Sequence, residues 1–310
     1  MESIIPRIDR ALIEKELSND LFVRHTNFGD NDIYIVNSQN APCTLQEIGR
    51  LREISFRSAG GGTGKSIDLD EFDTTLNSYE QLIVWDPADK EIVGGYRFIN
   101  CKKVHIDSNG LPHIATSELF NFSEAFLKNF LPYTIELGRS FVQPEYQPMV
   151  NSRKGFFSLD NLWDGLGALI INNPEIKYFF GKVTMYPHFN VKARDLILFF
   201  LAKYFPDKDN LVTPIIPLEI ETPINELEEV FIGESYDADN KILTQTLRNN
   251  YNENIPPLVN AYMNLTSTMR NFGTAINPGF GSVQETGILV TIGDIYESKK
   301  ERHLASYHKE

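Results

Sequence analysis

The stretch Thr134-Ile-Glu-Leu-Gly-Arg-Ser-Phe-Val142 lies near the middle of a 310-residue chain and is rich in β-branched and aromatic residues. This composition predicts a β-strand. In a regular strand Glu136 and Arg139 point to opposite faces, but Gly138 between them permits a β-bulge that turns both side chains to one face. The stretch therefore predicts a strand that presents a carboxylate and a guanidinium on one face.

The elements on both sides of this strand follow the order of an α/β domain. The first helix is predicted from Thr44, as N-cap, with Glu47 at the capping-box position. In chain order the patterns predict that helix up to the glycines at 60–62, strands at 81–85 and 91–100, the strand at 134–142, a helix at 162–171, a strand at 178–185 and a helix at 191–205. This order predicts an α/β (α+β) fold with a central mixed β-sheet flanked by helices.

Less regular sequence flanks this predicted core. Residues 1–44 are interpreted as an N-terminal segment and residues 45–205 as the core. Residues 206–310 are interpreted as an acidic linker and a C-terminal extension packed on the core, in which 255–269 predicts a helix and 288–292 a strand. We find no internal repeat.

Composition limits the classes of protein and partner. A net charge of −13 argues against nucleic acid as a partner, which requires a positive surface. The longest apolar run, 196–202, is far shorter than the roughly 18 residues that a membrane span needs. The first residues lack a secretory pattern, and Cys43 and Cys101 lack the CxxC spacing of a zinc site. We therefore expect a cytoplasmic protein without a metal.

Two short patterns imitate functional motifs. Ala59-Gly-Gly-Gly-Thr-Gly-Lys-Ser66 fits a relaxed phosphate-binding loop, but an amphipathic helix precedes it where such a loop requires a strand. We interpret it as a flexible loop. His25 and Asp30 have the HxxxxD spacing of glycerolipid acyltransferases, yet six histidines in the chain make one such match unsurprising. Neither pattern predicts a site.

Three further patterns stand in one order and together indicate a site. They are Asp68-Leu-Asp-Glu-Phe-Asp73, Val93-Gly-Gly-Tyr-Arg-Phe98 and Glu136-Leu-Gly-Arg-Ser-Phe-Val142. Each has an ordinary structural explanation: a solvated acidic loop, an arginine in an ion pair, and an exposed strand glutamate. A purely structural cluster of ion pairs is therefore the alternative to a catalytic site.

This ordered set resembles acyl-homoserine-lactone synthases and, more closely, the ornithine-lipid and glycine-lipid N-acyltransferases of the GNAT fold, once labelled hemolysin-like. Further resemblances to the second group are at 162–166, 180–184, 255–262 and 277–281. The stretch 272–281 and Glu285-Thr-Gly-Ile-Leu289 look most like the branch that acylates glycine. The sequence departs from the pattern at Asn277, where many relatives carry Asp, and Arg52 only partly matches their first-helix arginine.

The resemblance implies an N-acyltransferase that moves a long fatty acyl group, with or without a 3-hydroxyl, to the amine of an amino acid such as glycine or ornithine in aminolipid biosynthesis. It implies an acyl carrier protein as donor, with acyl-coenzyme A left open, no metal or redox cofactor, and a peripheral contact with the inner membrane face as an option. The alternatives are a lactone-type signal synthase of the same fold and a non-enzymatic, membrane-active hemolysin.

The chemistry of N-acylation suggests a role for each candidate residue. An α-ammonium must lose a proton before it attacks, so a positioned base is required. We predict Glu136 as that base, with Arg139 holding it or binding a carboxylate. We predict Arg97 as a bidentate clamp on the acceptor's carboxylate, and Asp70 and Asp73 as groups that receive its ammonium or brace the arginines.

The prediction of the acyl donor depends on a motif that the sequence lacks. The usual GNAT pyrophosphate loop does not occur cleanly between Val142 and Trp163, which argues against ordinary coenzyme A binding. We therefore predict that Arg153 and Lys154 contact an acidic acyl carrier protein, despite the negative charge of the whole chain.

Overall fold

An eight-stranded sheet forms the centre of the computed structural model, which describes residues 1–147, 150 and 155–307. The strands are β1 Phe22–His25, β2 Asp32–Val36, β3 Glu80–Asp86, β4 Glu91–Asn100, β5 Phe120–Phe122, β6 Thr134–Val142, β7 Tyr178–Met185, β8 Val212–Pro214, β9 Arg270–Asn277 and β10 Val283–Thr291. The sheet has the order β1-β2-β3-β4-β6-β7-β10-β9, and β5 pairs separately with β8. Neighbouring strands are antiparallel except β6 and β7, which are parallel. The predicted mixed sheet is confirmed.

Helices cover both faces of this sheet. They are α1 Arg10–Glu16, α2 Pro42–Ser58, α3 Glu71–Thr74, α4 Glu124–Asn129, α5 Ser158–Asn172, α6 Val191–Tyr204, α7 Ile224–Val230, α8 Tyr236–Tyr251, α9 Pro257–Met263 and α10 Glu297–His303. Strands β4, β6 and β7 have the bounds predicted for them. Helix α2 begins earlier than predicted, with Ala41 as its N-cap, so the capping role predicted for Thr44 was wrong. The Thr44 hydroxyl instead donates to Glu16 at 2.8 Å, and Glu47 pairs with Arg50.

The C-terminal third is more regular than predicted. The segment interpreted as an acidic linker contains β8, α7 and α8, and α8 buries Leu243 and Leu247 against the main core. The helix predicted at 255–269 is limited to α9. Strand β9, which begins at Arg270, was missed because its sequence, Arg-Asn-Phe-Gly-Thr-Ala-Ile-Asn, has few apolar residues to mark a buried strand.

The sheet takes strands from every predicted segment. Strands β1 and β2 belong to residues 1–44, and β9 and β10 belong to residues 206–310. The boundaries predicted at 44 and 205 therefore do not separate parts of the sheet, and the extension completes the sheet beside β7 rather than lying on its surface.

Alternation along the strands sorts the apolar side chains to two faces. One face, with Leu82, Leu137 and Phe179, packs against α5, α6, α8 and α9 in the largest core cluster. The opposite face has two smaller clusters, one around α2 and Ile83 and one around α4 and Phe180. Each leucine-sized side chain buried in these clusters stabilises the fold by about 1.5–3 kcal/mol.

The loop at 59–66 and His25, which resemble functional motifs in the sequence, form structural contacts. The backbone N–H groups of Thr63 and Gly64 donate to the Glu53 carboxylate at 3.0 and 2.8 Å. These loop N–H groups, which a phosphate-binding loop would use for a phosphate, therefore already bind a carboxylate of the protein. The Nδ1 of His25 lies 2.6 Å from Asp32 rather than pairing with Asp30. No helix in the described ranges is both long and apolar enough to cross a membrane.

Candidate active site

Strands β6 and β7 part in the middle of the sheet. Their parallel pairing runs from Thr134 and Tyr178 to Leu137 and Gly181, where the recorded register ends. The predicted bulge is confirmed just beyond this point. On the β4 side Arg97 pairs with Gly138 and Gly95 with Phe141, so two residues of β6, Arg139 and Ser140, oppose one residue of β4. Arg139 has a left-handed backbone, with φ 51°.

A cavity occupies the gap and extends to both faces of the sheet. Leu137, Gly138 and Gly181 line it where the strands part. On the face of the sheet covered by α5 and α9, the wall of the cavity is apolar. It consists of Leu159, Leu162, Trp163, Leu166, Leu258 and Tyr262. Its wall on the other face carries charged and polar side chains beside two aromatic rings: Arg139, Lys182, Thr184, Glu285, Phe56 and Phe280.

Glu136 lies on the same face of the sheet as the charged wall of the cavity, next to the point where β6 and β7 part. It is 1% exposed and is not among the residues that line the cavity. Its carboxylate accepts hydrogen bonds from the Tyr79 hydroxyl and, at 2.9 Å, from the Thr116 backbone N–H. Burial raises the pKa of Glu136, and these hydrogen bonds partly offset that rise. The role of Glu136 as base stays a prediction.

Arg97 connects the residues predicted to bind the acceptor. Its Nη1 donates to Asp70 at 2.7 Å and to Asp73 at 3.1 Å, and its guanidinium lies 5.1 Å from the centre of the Tyr79 ring. The Arg97 Nε donates no hydrogen bond to any described residue and lies beside Gly138, which has no side chain to cover it. These contacts describe an ion-pair cluster, and a binding role for its members stays a prediction.

Arg52 is the centre of this cluster, although the sequence matched it only partly. It is fully buried, its Nε donates to Asp68 at 3.1 Å, and its two terminal nitrogens donate to Asp73 at 3.1 and 3.0 Å. Arg139 also contacts Asp68, at 3.0 Å, rather than Glu136. Burial on its own raises the pKa values of Asp68 and Asp73, but the neighbouring guanidiniums outweigh it and hold both pKa values below the ordinary range.

Lys182 and Glu285 are the charged cavity residues that sequence reasoning missed. Lys182 on β7 donates to the Glu285 carboxylate on β10, which pairs with β7. Burial lowers the pKa of Lys182, and the attraction of Glu285 partly offsets this. Both residues lie in stretches that resemble the lipid family, but a single charge in an otherwise apolar strand gave no reason to pair them. Arg153 and Lys154, predicted to bind the donor, lie outside the described residues.

The chain is similar to known acyltransferases over its whole length. A family model described as an acetyltransferase (GNAT) domain matches residues 51–152. A glycine N(alpha)-acyltransferase of Phocaeicola vulgatus is 54% identical over 310 residues, covering 100% of this chain and 95% of the relative. A glycine N(alpha)-acyltransferase of Bacteroides thetaiotaomicron is 54% identical over 307 residues, covering 99% of this chain and 91% of the relative.

Solved structures with a related shape are more distant. The structure of FeeM, an N-acyl amino acid synthase from uncultured soil microbes, covers 86% of this chain and 95% of its own, with 8% identity and a TM-score of 0.41. A coenzyme A-dependent acyl-homoserine lactone synthase, BjaI, covers 87% and 85%, with 11% identity and a TM-score of 0.37.

Proposed function

The chain belongs to the glycine N(alpha)-acyltransferase family, and from that premise we propose that it transfers a long fatty acyl group from an acyl carrier protein to the amine of glycine. It is an N-acyltransferase of the GNAT fold, as predicted, and acyl transfer to an amino acid follows from the family. A non-enzymatic hemolysin is not compatible with this membership. We propose glycine rather than ornithine as the acceptor, because both relatives are glycine N(alpha)-acyltransferases.

The cavity between β6 and β7 is the observation that supports this reaction best. An acyl chain requires an apolar wall, whereas an amino acid requires charged partners, and the cavity has one of each on opposite faces of the sheet. The acyl carbon would lie where the strands part. There the base takes one proton from the acceptor's ammonium, and the neutral nitrogen forms a bond to the acyl carbon as the carbon–sulfur bond breaks. The second proton of the nitrogen goes to the sulfur, so the donor leaves as a thiol.

The strand bulge suggests how the reaction is assisted. The β6–β7 ladder ends at Leu137 and Gly181, and we propose that a backbone N–H just beyond this point donates to the thioester oxygen. We propose Glu136 as the base, because its carboxylate lies next to the point where β6 and β7 part and burial raises its pKa, the direction that favours a general base. We propose Arg139, on the bulge, as the second catalytic residue, and Asp70, Asp73 and Arg97 as the ion-pair cluster that braces it on the acceptor side.

The donor and the location of the enzyme belong to the same proposal. Acyl carrier protein is acidic, so a chain with a net charge of −13 must meet it through a local basic surface. Arg153 and Lys154 are the residues we propose for that contact. A cytoplasmic enzyme with peripheral contact at the inner membrane face would suit an acylated product that partitions into lipid.

A direct assay tests the proposed function. Purified protein is incubated with glycine and either palmitoyl-acyl carrier protein or acetyl-coenzyme A, and products are identified by mass spectrometry. We expect N-palmitoylglycine from the carrier-bound donor and little acetylglycine. Efficient acetyl transfer without long-chain transfer would contradict the proposal. Lactone formation from S-adenosylmethionine instead would favour the signal-synthase alternative.

Trp163 is predicted to limit the length of the acyl chain. It closes the apolar end of the cavity with Tyr262, at a ring distance of 5.4 Å, and it also lines a second cavity together with Leu159 and Leu265. Replacing Trp163 by Ala should join the two cavities. Because a buried methylene contributes about 0.8 kcal/mol, two further carbons should gain about tenfold in kcat/KM relative to palmitoyl.

The measurement is the ratio of kcat/KM for acyl carrier proteins loaded with chains of 16, 18 and 20 carbons. All three substrates meet the same enzyme, so the ratios do not depend on the folded fraction. Phe156→Ala, which changes only the second cavity, serves as the control and should keep the wild-type preference. An unchanged preference in Trp163→Ala would show that the chain takes another path.

A further inference from the structure

One ion pair in the cavity wall stands apart from the charge cluster beside it. Each arginine of that cluster contacts two carboxylates: Arg52 contacts Asp68 and Asp73, Arg97 contacts Asp70 and Asp73, and Arg139 contacts Asp68 and Asp70. Lys182 and Glu285 instead contact each other, and neither forms an ion pair with a third described residue. Exchanging the partner of an isolated pair disturbs fewer contacts than breaking into a linked cluster.

Both members of this pair have unused hydrogen-bonding capacity. A lysine ammonium has three donors, and within the part of the chain that the structure describes Lys182 donates to Glu285. A carboxylate has about four acceptor sites, and Glu285 accepts from Lys182 and, at 3.5 Å, from Thr184. Both residues line the cavity, with side chains 12% and 3% exposed. Water therefore competes weakly for these groups.

We propose that the Lys182–Glu285 pair recognises the amino-acid acceptor by exchanging partners with it. The acceptor's carboxylate binds Lys182, and its ammonium binds Glu285. The inference rests on the proposed acylation of glycine and identifies the residues that select the acceptor. The pair holds the zwitterion and takes no part in the bond changes, and the ammonium leaves Glu285 when it gives its proton to the proposed base.

Charge complementarity supports this exchange. A free amino acid is a zwitterion whose two charges are only a few bonds apart, so it fits between a cation and an anion that are already neighbours. The exchange replaces one buried ion pair by two, which helps to compensate for removing the acceptor from water. Arg139 lines the same wall with a side chain 13% exposed and places a second positive charge near the carboxylate.

The position of the pair also agrees with the direction of the reaction. Lys182 directly follows Gly181, the last β7 residue in the ladder with β6. Glu285 lies on β10 and pairs with Thr184 of β7, two residues beyond Lys182. An acceptor held here lies on the charged face, opposite the apolar wall of α5 and α9. Arg97, the clamp predicted from the sequence, is already held by two carboxylates, whereas Lys182 forms an ion pair with one described carboxylate.

The test compares glycine with glycinamide, in which a neutral amide replaces the carboxylate at almost the same size. The acyl donor is saturating, and kcat/KM is measured for both acceptors. We expect wild type to prefer glycine and Lys182→Met to lose about 10- to 100-fold of that preference, the usual contribution of a hydrogen bond to a charged group. The ratio of the two acceptors cancels any difference in folded enzyme between variants.

Three further variants make the comparison specific. Lys182→Met/Glu285→Leu removes both charges, avoids a lone buried carboxylate and should also lose the preference while keeping the KM of the donor. Lys192→Met alters an exposed lysine 3.4 Å from Glu226 and should keep the preference. Arg97→Lys tests the alternative in which Arg97, rather than Lys182, binds the acceptor's carboxylate.

The outcomes separate the inference from the proposed function. A wild type that acylates glycine, together with a Lys182→Met enzyme that keeps the wild-type preference, overturns the inference alone. A preference lost in Arg97→Lys and kept in Lys182→Met also overturns it and assigns the clamp to Arg97. A wild type that does not acylate glycine overturns the proposed function and the inference with it.

Discussion

Replacing Glu136 by Gln is expected to lower kcat by about 10² to 10⁴ at neutral pH, the usual contribution of a positioned general base. Without this carboxylate, the acceptor's ammonium loses the group that we propose takes its proton. The fold should survive, because the new Oε1 can accept from the Thr116 N–H while Nε2 donates to the Tyr79 oxygen, so both contacts of Glu136 are kept.

The pH dependence distinguishes a base from a structural acid. Raising the pH supplies neutral amine without help from the enzyme, so Glu136→Gln should recover part of its rate in alkaline solution, whereas wild type gains less. Glu80→Gln, an exposed change on β3, is the matched control and should behave as wild type. A near-normal kcat for Glu136→Gln with saturating substrates would exclude Glu136 as the base. Asp70, Asp73 and Glu285 would then be the next candidates.

Replacing Arg52 by Met is expected to reduce the free energy of unfolding by about 3–5 kcal/mol, the usual cost of removing one partner from a buried ion pair. Arg52 is fully buried and donates to both Asp68 and Asp73, so its loss leaves two carboxylates short of a partner inside the protein. Urea unfolding measures the change. Arg248→Met, an exposed arginine on α8 that donates to Asn254 at 3.0 Å, should change stability by less than about 0.5 kcal/mol.

The effect of Arg52 should also depend on pH. Asp68 and Asp73 have lowered pKa values in the folded protein, so their contribution is present above the unfolded pKa of about 4 and is lost as the pH falls through the folded pKa values. Without Arg52 these acids protonate more readily, so the difference between wild type and variant should narrow in acid. A difference below 1 kcal/mol at neutral pH would contradict a stabilising role for Arg52.

Local sequence determined the central strands and the order of the fold. Strands β4, β6 and β7 have the bounds predicted for them, because runs of β-branched and aromatic residues ended by turns are signals within a few residues of one another. The ordered acidic, arginine and glutamate patterns carried the resemblance to the GNAT fold, which is confirmed, and the choice of Glu136 as base, which stays a prediction. Helix α8 was missed because it buries few apolar side chains, such as Leu243 and Leu247, and most of its other residues are polar, as in a linker.

Tertiary structure alone decided which charged groups meet. Nothing near Arg52 in the sequence indicates that it joins Asp68 to Asp73, and Lys182 and Glu285 are 103 residues apart along the chain. Their contact depends on the antiparallel pairing of β7 with β10, and the cavity beside them depends on the parting of β6 from β7. Pairing register is set by which faces of distant strands are buried together, so neither site could be derived from local patterns of residues.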